Sequence, residues 1–279
     1  MRMLLPQAVH HGSKVATLVA TDANGLIVGA AAISPRLRTL PLPGPRCALH
    51  VIPPARGKGL GRELADTAAH LARRLGGRAL YAWDMHEADS RPIAMWARLG
   101  FTQTVCVQEA RTEVARGLEY LKPIFQGVVE RGYIPANARV VPLVQADPLQ
   151  IARLHVDCLG GIYEEILAAL HGETPLRYNA QLSPVVLVDG KVMAFNLCER
   201  TGADCGFVHA TVVHPSLRDG WANLWLKYRG LCACVDLGVK TLLSHSYDQH
   251  RDTRRITRAF GATTRMLLEP YRILVEQSE

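Results

Sequence analysis

Apolar residues flank two short turn signals, one in each half of the chain. Residues 14–34 surround Asp22-Ala23-Asn24-Gly25, and residues 185–198 surround Asp189-Gly190-Lys191. Asn-Gly or Asp-Gly between apolar runs is the strongest short-range signal of a β-hairpin. We therefore predict one hairpin in each half.

The two predicted hairpins are followed by the same order of elements. Each precedes a strand that ends in proline, then a helix, a short strand and a second helix that closes on a glycine. The predicted strands cover 47–53 and 79–83 in the first half, and 207–215 and 241–246 in the second. A repeated order of this length indicates a tandem duplication.

Three landmarks in each half test this interpretation: the turn glycine, the arginine after the proline, and the glycine that ends the second helix. They are Gly25, Arg56 and Gly100 in the first half, and Gly190, Arg218 and Gly261 in the second. The successive intervals are 31 and 44 residues in the first half, against 28 and 43 in the second. The register is kept within three residues.

The two halves differ in how they begin. Ahead of its hairpin, the second half has room for a strand over 139–144 and for helices over 148–158 and 163–170. The first half starts almost at its hairpin. Between the halves, apolar residues at helical spacing predict a connecting helix with a kink at Pro123.

These features set the predicted domain boundaries. We expect a first domain over 1–115 with a truncated start, a connecting helix or linker over 116–136, and a second domain over 137–279. The chain of 279 residues, with 48% hydrophobic and 20% charged residues, is long and apolar enough for two packed cores.

Composition also limits the cellular locations and the classes of partner that we expect. No run of about 18 apolar residues is present, and the N-terminal segment is broken too soon by Pro6 to be a secretory signal. We expect a cytoplasmic protein without a membrane partner. The formal net charge of +7 favours an anionic ligand, but the chain lacks the aromatic interleaving typical of nucleic-acid binding, and we expect none.

Cysteine usage points away from disulfides and metals. The seven cysteines are scattered, and the closest two, Cys232 and Cys234, lie two apart on a predicted helix, where they face different sides. We interpret them as small buried apolar residues and expect no metal site.

The segment that follows the predicted strand at 47–53 carries the clearest chemical signal. Gly57, Gly59 and Gly61 alternate through a loop that leads into a helix. Glycines let a backbone approach a ligand closely, and the N–H groups at a helix N-terminus favour a phosphate. Arg56, Lys58 and Arg62 add positive charge. A tight turn without a ligand is the alternative interpretation.

Two common phosphate-binding motifs do not fit this loop. A P-loop needs Gly-Lys-Ser/Thr at its end, whereas Gly61 is followed by Arg62-Glu63. A dinucleotide fingerprint needs a third glycine where Arg62 stands.

The loop resembles the acyl-CoA-binding motif of the GNAT (GCN5-related N-acetyltransferase) superfamily, Arg/Gln-x-x-Gly-x-Gly/Ala, here read as Arg56-Gly57-Lys58-Gly59-Leu60-Gly61. Residues 94–101, ending in Leu-Gly-Phe, resemble a later helix of that family. The resemblance covers roughly residues 14–115. It implies two GNAT-like α/β domains, each a mixed, mostly antiparallel twisted sheet flanked by helices.

The resemblance also implies an activity and a co-substrate. Family members transfer an acyl group from acyl-CoA, most often acetyl-CoA, to an amine, here a small-molecule or peptide acceptor that the sequence does not identify. Carried over by position, the CoA contacts are Leu49, His50, Val51, Arg56, Gly57, Lys58, Gly59, Leu60, Gly61 and Arg62.

The second copy departs from this motif. Its loop reads Arg218-Asp219-Gly220-Trp221-Ala222-Asn223, so Trp221 and Asn223 stand where the two motif glycines, Gly59 and Gly61, belong. Asp219 brings a negative charge to a phosphate site. We expect this copy to have lost ordinary CoA binding.

The sequence indicates the catalytic residues less directly than the CoA contacts. The family often uses a tyrosine four residues before the glycine of Leu-Gly-Phe as an acid, but Trp96 and Thr257 occupy that position in the two copies. Asp84, His86 and His209 are the candidate catalytic groups, because a histidine titrates near neutral pH. A solvated turn for His86 and a hydrogen-bonded strand histidine for His209 are the alternatives.

The missing tyrosine keeps a second function open. A non-catalytic acyl-CoA-binding or regulatory protein would keep the loop and dispense with the acid. The oligomeric state is not indicated by the sequence.

Overall fold

The computed structural model describes residues 3–4, 7–10, 13–38, 42–174, 176–218, 220–247 and 251–274. Contacts divide the chain into two compact units. The first comprises residues 1–107 together with 266–279, and the second comprises residues 108–265.

The strands, in chain order, are β1 (Met3–Leu4), β2 (Gln7–His10), β3 (Ser13–Thr21), β4 (Ile27–Arg38), β5 (Gly44–Val51), β6 (Ala79–Ala82), β7 (His86–Glu87), β8 (Gln103–Glu113), β9 (Ala138–Pro142), β10 (Pro184–Val188), β11 (Lys191–Arg200), β12 (Cys205–Val213), β13 (Thr241–Tyr247) and β14 (Thr263–Ile273). The α-helices are α1 (Leu60–Arg74), α2 (Arg91–Arg98), α3 (Val114–Glu130), α4 (Pro148–Leu159), α5 (Tyr163–Leu170), α6 (Trp221–Asp236) and α7 (Arg251–Ala259). Short 3₁₀ helices lie at Pro53–Ala55, Leu143–Gln145 and Pro215–Leu217.

The sheet of the first unit runs in the order β1-β3-β4-β5-β6-β14, with β2 on β3 and β7 on β14. Its pairings are antiparallel except for β5 and β6, which are parallel. Helix α1 packs its apolar face on this sheet, where Leu60, Leu64 and Ala68 are buried with Leu18 and Ile33. The α1 face is apolar because these side chains recur at helical spacing.

The last strand of the chain completes the first unit. Residues Tyr271 and Ile273 of β14 pair with Tyr81 and Ala79 of β6. The Arg46 guanidinium donates to Glu269, whose side chain is fully buried, at 2.8 Å and 2.9 Å. Leu274 is part of the same core as α1. This strand therefore belongs to a unit whose other residues lie far away in sequence.

The sheet of the second unit runs in the order β13-β12-β11-β10-β9. Only β12 and β13 are parallel among these pairs. Helices α4 and α5 precede the hairpin, and α6 and α7 follow it. Ile151 and Leu154 of α4 share one core cluster with strand residues, whereas Leu231 of α6 and Phe260 after α7 belong to another.

Both predicted hairpins are confirmed. Strands β3 and β4 pair around the first turn, where the Asp22 side chain accepts hydrogen bonds from the Asn24 and Leu26 N–H groups. At the second turn, Asp189 and Gly190 have φ values of 51° and 77°, the double left-handed conformation that a two-residue hairpin turn needs. Helix α5 covers the predicted residues 163–170.

The order of elements is the same after each hairpin. Strand, 3₁₀ helix with a leading proline, helix, parallel strand and second helix follow in both units, and the first unit adds the two-residue β7 before its second helix. This agreement supports the interpretation of the chain as a duplication, which remains a proposal.

The boundaries of the two units differ in two places from the predicted domain boundaries at residues 115 and 137. Helix α3, expected as a linker, belongs to the second unit because Phe125 stacks on Tyr228 at 4.4 Å and Leu121 is buried in its core. The helix continues through Pro123. Residues 266–279, expected in the second domain, belong to the first unit because β14 pairs with β6.

Within the described part of the chain, every helix is too short or too polar to cross a bilayer.

Candidate acyl-CoA site

The parallel strands β5 and β6 of the first unit separate after two residue pairs. Arg46 and Cys47 pair with Tyr81 and Ala82, and the Trp83 N–H donates to the Cys47 carbonyl at 2.8 Å. Strand β5 then continues to Val51 along β4 alone. In the described residues, the edge of β5 over 48–51 is therefore open on the β6 side. A peptide-like chain can pair with such an edge.

A rigid turn connects this open edge to α1. Pro53 begins a 3₁₀ helix, and the Arg56 N–H donates to the Pro53 carbonyl at 3.2 Å. The Arg56 side chain folds back, so that its Nε donates to the Val51 carbonyl at 2.9 Å. Arg56 thus fixes the end of β5 relative to the start of the glycine loop.

The backbone of the loop requires two of its three glycines. Gly57 and Gly59 have φ values of 77° and 86°, a conformation that other residues rarely adopt. An added Cβ at either position would meet no atom within 4 Å, so no protein group fills the space beside them. A Cβ at Gly61 would contact Leu99 and Val51 at 3.8 Å and 3.9 Å, which is ordinary packing.

The backbone of this loop presents a row of N–H groups. Gly59 caps α1 through its carbonyl, which accepts from the Arg62 and Glu63 N–H groups at 2.9 Å and 3.2 Å. In the described structure, the N–H groups of residues 57–61 have no hydrogen-bond acceptor. Free N–H groups at the positive end of a helix of 15 residues form an anion site that suits a diphosphate.

The three predicted cations have different surroundings. Lys58 is exposed, and no described residue pairs with it. Arg62 is also exposed, but its Nη2 donates to the carbonyl of Arg98, the last residue of α2. Arg56 is held by Val51. Lys58 is therefore the cation best able to follow a bound anion, whereas the two arginines shape the site.

The predicted strand contacts lie on β5 in the stretch that has separated from β6. Leu49 and Val51 are partly buried against the core of the first unit, and His50 is exposed. On β4, Ala31 pairs with Leu49, Ala30 with His50, and Gly29 with Val51.

The two predicted catalytic residues of the first unit lie just past β6. Asp84 is exposed, and His86 lies on β7, where it pairs with Leu268 of β14. The Nε2 atom of His86 is buried, and none of the described side chains or backbone groups forms a hydrogen bond with it. A buried polar atom of this kind is uncommon and needs a partner that the protein itself does not supply.

Trp96 cannot replace the missing acid. Its side chain is 5% exposed and lies in the core of the first unit against Phe101, with ring centroids 4.6 Å apart. Thr257 in the second unit is also buried, and its hydroxyl donates to the Thr253 and Arg254 carbonyls within its own helix.

The matching loop of the second unit has a different architecture. Trp221 begins α6 and packs on Trp225 with ring centroids 5.9 Å apart, so an aromatic side chain occupies the helix start. Gly220 precedes the helix in an extended conformation, unlike the left-handed Gly59. Asp219 lies outside the described residues.

His209 lies in the second unit, where β12 separates from β13. The last parallel pair is Val208 with Ser244. The His209 Nε2 is 3.0 Å from the Glu199 carboxylate, and burial lowers the pKa of its imidazole despite that partner. Phe207 lies between His209 and His245, with ring centroids 4.7 Å and 4.9 Å away.

Sequence reasoning missed the second half of this cluster. The His245 Nε2 is 3.2 Å from the Glu109 carboxylate, which also accepts from Arg265 at 2.6 Å. These interactions lower the pKa of Glu109 below its usual range, although its partial burial acts in the opposite direction. The residues come from three separate segments, so no local motif indicates them.

A comparison with protein families finds a match in the first unit. Residues 4–101 match the family described as the Acetyltransferase (GNAT) family. No curated protein matches the chain.

Solved structures share the fold over nearly the whole chain. A tandem GNAT protein from the clavulanic acid biosynthesis pathway has a TM-score of 0.61 at 18% identity, covering 97% of this chain and 86% of that one. A glucosamine N-acetyltransferase region of a fungal multi-domain GH3 β-N-acetylglucosaminidase has a TM-score of 0.64 at 16% identity, covering 91% of this chain and 33% of that one. A GCN5-related N-acetyltransferase from Sphaerobacter thermophilus has a TM-score of 0.56 at 13% identity, covering 92% and 80%.

At these identities the similarity shows a shared mixed α/β fold, with a mostly antiparallel sheet flanked by helices. The family match adds the assignment, and it covers the glycine loop, the open strand edge and the helix that ends at Gly100. Residues 4–101 therefore carry the sequence signature of the Acetyltransferase (GNAT) family, and the chain as a whole is similar to GNAT proteins in fold.

Proposed function

We propose that the protein is an acyl-CoA-dependent N-acyltransferase that transfers an acetyl group from acetyl-CoA to an amine. The observation that carries the proposal is the row of free N–H groups over residues 57–61 beside the open edge of β5. The first feature suits the diphosphate of CoA, and the second suits its amide-containing pantetheine arm.

The residues of the loop have separate tasks in this proposal. The N–H groups from Gly57 to Gly61 hold the diphosphate, and Lys58 adds mobile countercharge. Arg56 and Arg62 fix the turn and the helix start through their hydrogen bonds to Val51 and Arg98. Leu49, His50 and Val51 present the backbone that pairs with pantetheine.

His86 is the catalytic base that we favour in the first unit. Its buried Nε2 has no hydrogen-bond partner in the described residues, and an acceptor amine or a water molecule would supply one. Asp84 is exposed and is the second candidate for this role. The departing thiolate takes its proton from solvent in this proposal, because Trp96 is a core residue.

A non-catalytic acyl-CoA-binding protein is the second candidate, and the burial of Trp96 favours it. Turnover separates the two functions. The full chain is incubated with acetyl-CoA and a set of primary amines, and free thiol is measured with a chromogenic disulfide. Release that depends on an amine supports the enzyme, whereas saturable CoA binding without release across the set supports the binding protein.

A further inference from the structure

The second unit contains a cavity of about 90 Å³ that the proposed function does not use. It lies between α6 and α7 and the strands β11, β12 and β13. Much of its wall is apolar and is formed by Leu182, Val208, Leu231, Leu242, Ile256 and Phe260. A cavity of about 150 Å³ accommodates a benzene-sized molecule, so this one suits a ligand of about four to six heavy atoms.

One cation faces this cavity without a counter-ion. Lys227 of α6 lines it, and none of the lining residues in the described chain is an aspartate or glutamate. No described residue accepts a hydrogen bond from the Lys227 ammonium or pairs with it. Burying a charge without a partner is unfavourable, so an isolated lysine here is the feature that needs an explanation.

The neighbouring thiols do not supply the missing negative charge. Cys198 and Cys234 also line the cavity, and burial raises the pKa of each thiol to about 12. Both are therefore neutral at physiological pH. Burial lowers the pKa of Lys227 only to about 8, so the ammonium remains mostly protonated at pH 7.

A second donor faces the same cavity. Asn196 of β11 is only 7% exposed, and its Oδ1 accepts from the Thr211 hydroxyl at 2.9 Å. Its Nδ2 has no acceptor in the described residues. Gly230 of α6 lies opposite, and a Cβ there would come within 3.4 Å of this nitrogen. The absence of a side chain at position 230 therefore leaves the amide accessible.

Together these groups form a site with two kinds of surface. The polar part contains two nitrogen donors without a described acceptor, Lys227 Nζ and Asn196 Nδ2, together with threonine and serine hydroxyls, and much of the remaining wall is apolar. We propose that the cavity binds a small carboxylate of about two to four carbons, with its oxygens on Lys227 and Asn196 and its hydrocarbon part on the apolar wall.

The test uses the full chain carrying Gly59→Glu, which the proposed function requires to be unable to bind CoA at the loop. Sodium propionate is titrated by calorimetry against sodium chloride at equal ionic strength. Lys227→Met keeps the length of the side chain and removes its charge, and Asn196→Leu removes the amide. Lys240→Met, on the exposed surface of the same unit, is the matched control.

We expect saturable propionate binding to the parent protein and to Lys240→Met. Lys227→Met should weaken it by about 30-fold, within the range for loss of a charge-assisted hydrogen bond, and Asn196→Leu by about 5-fold. Lys227→Met removes a poorly solvated charge, so it should melt no lower than the parent, and lost binding is then not lost folding.

Two results would overturn the proposal. One is propionate affinity that is equal in the parent and in Lys227→Met. The other is displacement of propionate by pantetheine, which would make the cavity part of a thioester site. Failure of CoA binding or turnover in the unmodified chain leaves this measurement unaffected, so the two proposals fail separately.

Discussion

The Glu269 carboxylate of β14 accepts hydrogen bonds from the Arg46 guanidinium of β5, across 223 positions of sequence. Glu269 is fully buried, while a third of the Arg46 side chain is exposed. A buried carboxylate that loses such a partner is left as an uncompensated charge. This ion pair therefore decides whether the last strand docks stably in the first unit.

Glu269→Ala should lower the free energy of unfolding by about 3 kcal/mol, because it leaves the Arg46 charge partly buried without its acceptor. The measurement is urea denaturation followed by circular dichroism. Glu173→Ala, at an exposed carboxylate, should change stability by less than about 0.5 kcal/mol. Equal effects of the two substitutions would contradict this role for Glu269.

The double substitution Arg46→Met/Glu269→Leu separates the charge from the packing. It removes both members of the pair and keeps apolar volume, so it should recover most of the stability that Glu269→Ala loses. A double variant that is no more stable than Glu269→Ala would assign the effect to the shape of the site instead.

The sequence predicted most elements and missed the partner of the last strand. Turn chemistry determines the hairpins locally, and Asp189-Gly190 adopts the conformation that its residue types favour. The pairing of β14 with β6 is accompanied by the ion pair between Glu269 and Arg46, a tertiary contact that leaves no periodicity in either segment. Lys227 was missed for a related reason, because a lysine on a helix resembles a solvated residue until the strands beneath it are known.

Gly59→Glu should weaken CoA binding to the first unit by at least about 100-fold. A glutamate there replaces the left-handed glycine that caps α1, and it places a carboxylate beside the N–H groups proposed to hold a diphosphate. Equilibrium dialysis with CoA measures the change.

Gly76→Glu is the matched control for this effect. Gly76 follows the other end of α1, its φ of 79° imposes the same backbone strain, and an added Cβ would meet no atom within 4 Å. CoA affinity should be unchanged in Gly76→Glu and in Trp221→Ala. Tight CoA binding by Gly59→Glu would refute the loop assignment.

The contribution of Lys227 to stability should depend on pH. Burial lowers its pKa from 10.5 in the unfolded chain to about 8 in the folded protein. Between these values the unfolded chain binds more protons, so stability rises with pH across this window. Below pH 8 both states are protonated, and the penalty for the buried charge is fully present.

The comparison of the parent protein with Lys227→Met isolates this effect. The difference in their free energies of unfolding should shift in favour of the parent between pH 8 and 10.5, by up to about 3 kcal/mol. Cys198 and Cys234, which line the same cavity, ionise from about pH 9 in the unfolded chain and only near pH 12 in the folded protein. Both proteins contain these thiols, so their contribution largely cancels in the difference. A difference that does not change with pH would mean that the ammonium is well solvated.

His86 and His209 can be distinguished by substitution with glutamine. Loss of a general base lowers turnover by about 100-fold or more, and the variant loses the acid limb of its pH profile. We expect this for His86→Gln. The exposed His171→Gln serves as the control.

His209→Gln tests whether the imidazole beside Glu199 takes part in catalysis. If it is a strand histidine held by its hydrogen bond, kcat and its pH dependence should stay within about twofold of the parent. If turnover falls as far as in His86→Gln, the base assignment passes to the second unit. The lowered pKa of His209 would then place the loss of activity below pH 6.5.

The position of β14 in the sequence also determines the order in which the two units can fold during synthesis. Residues 108–265 form one continuous unit and can fold as soon as they leave the ribosome. The first unit lacks Glu269 and Leu274 until the segment that follows the second unit is made, although its other segments emerge first. The glycine loop therefore lies in a unit whose core is incomplete until residues 266–274 have been synthesised, after the whole of the second unit.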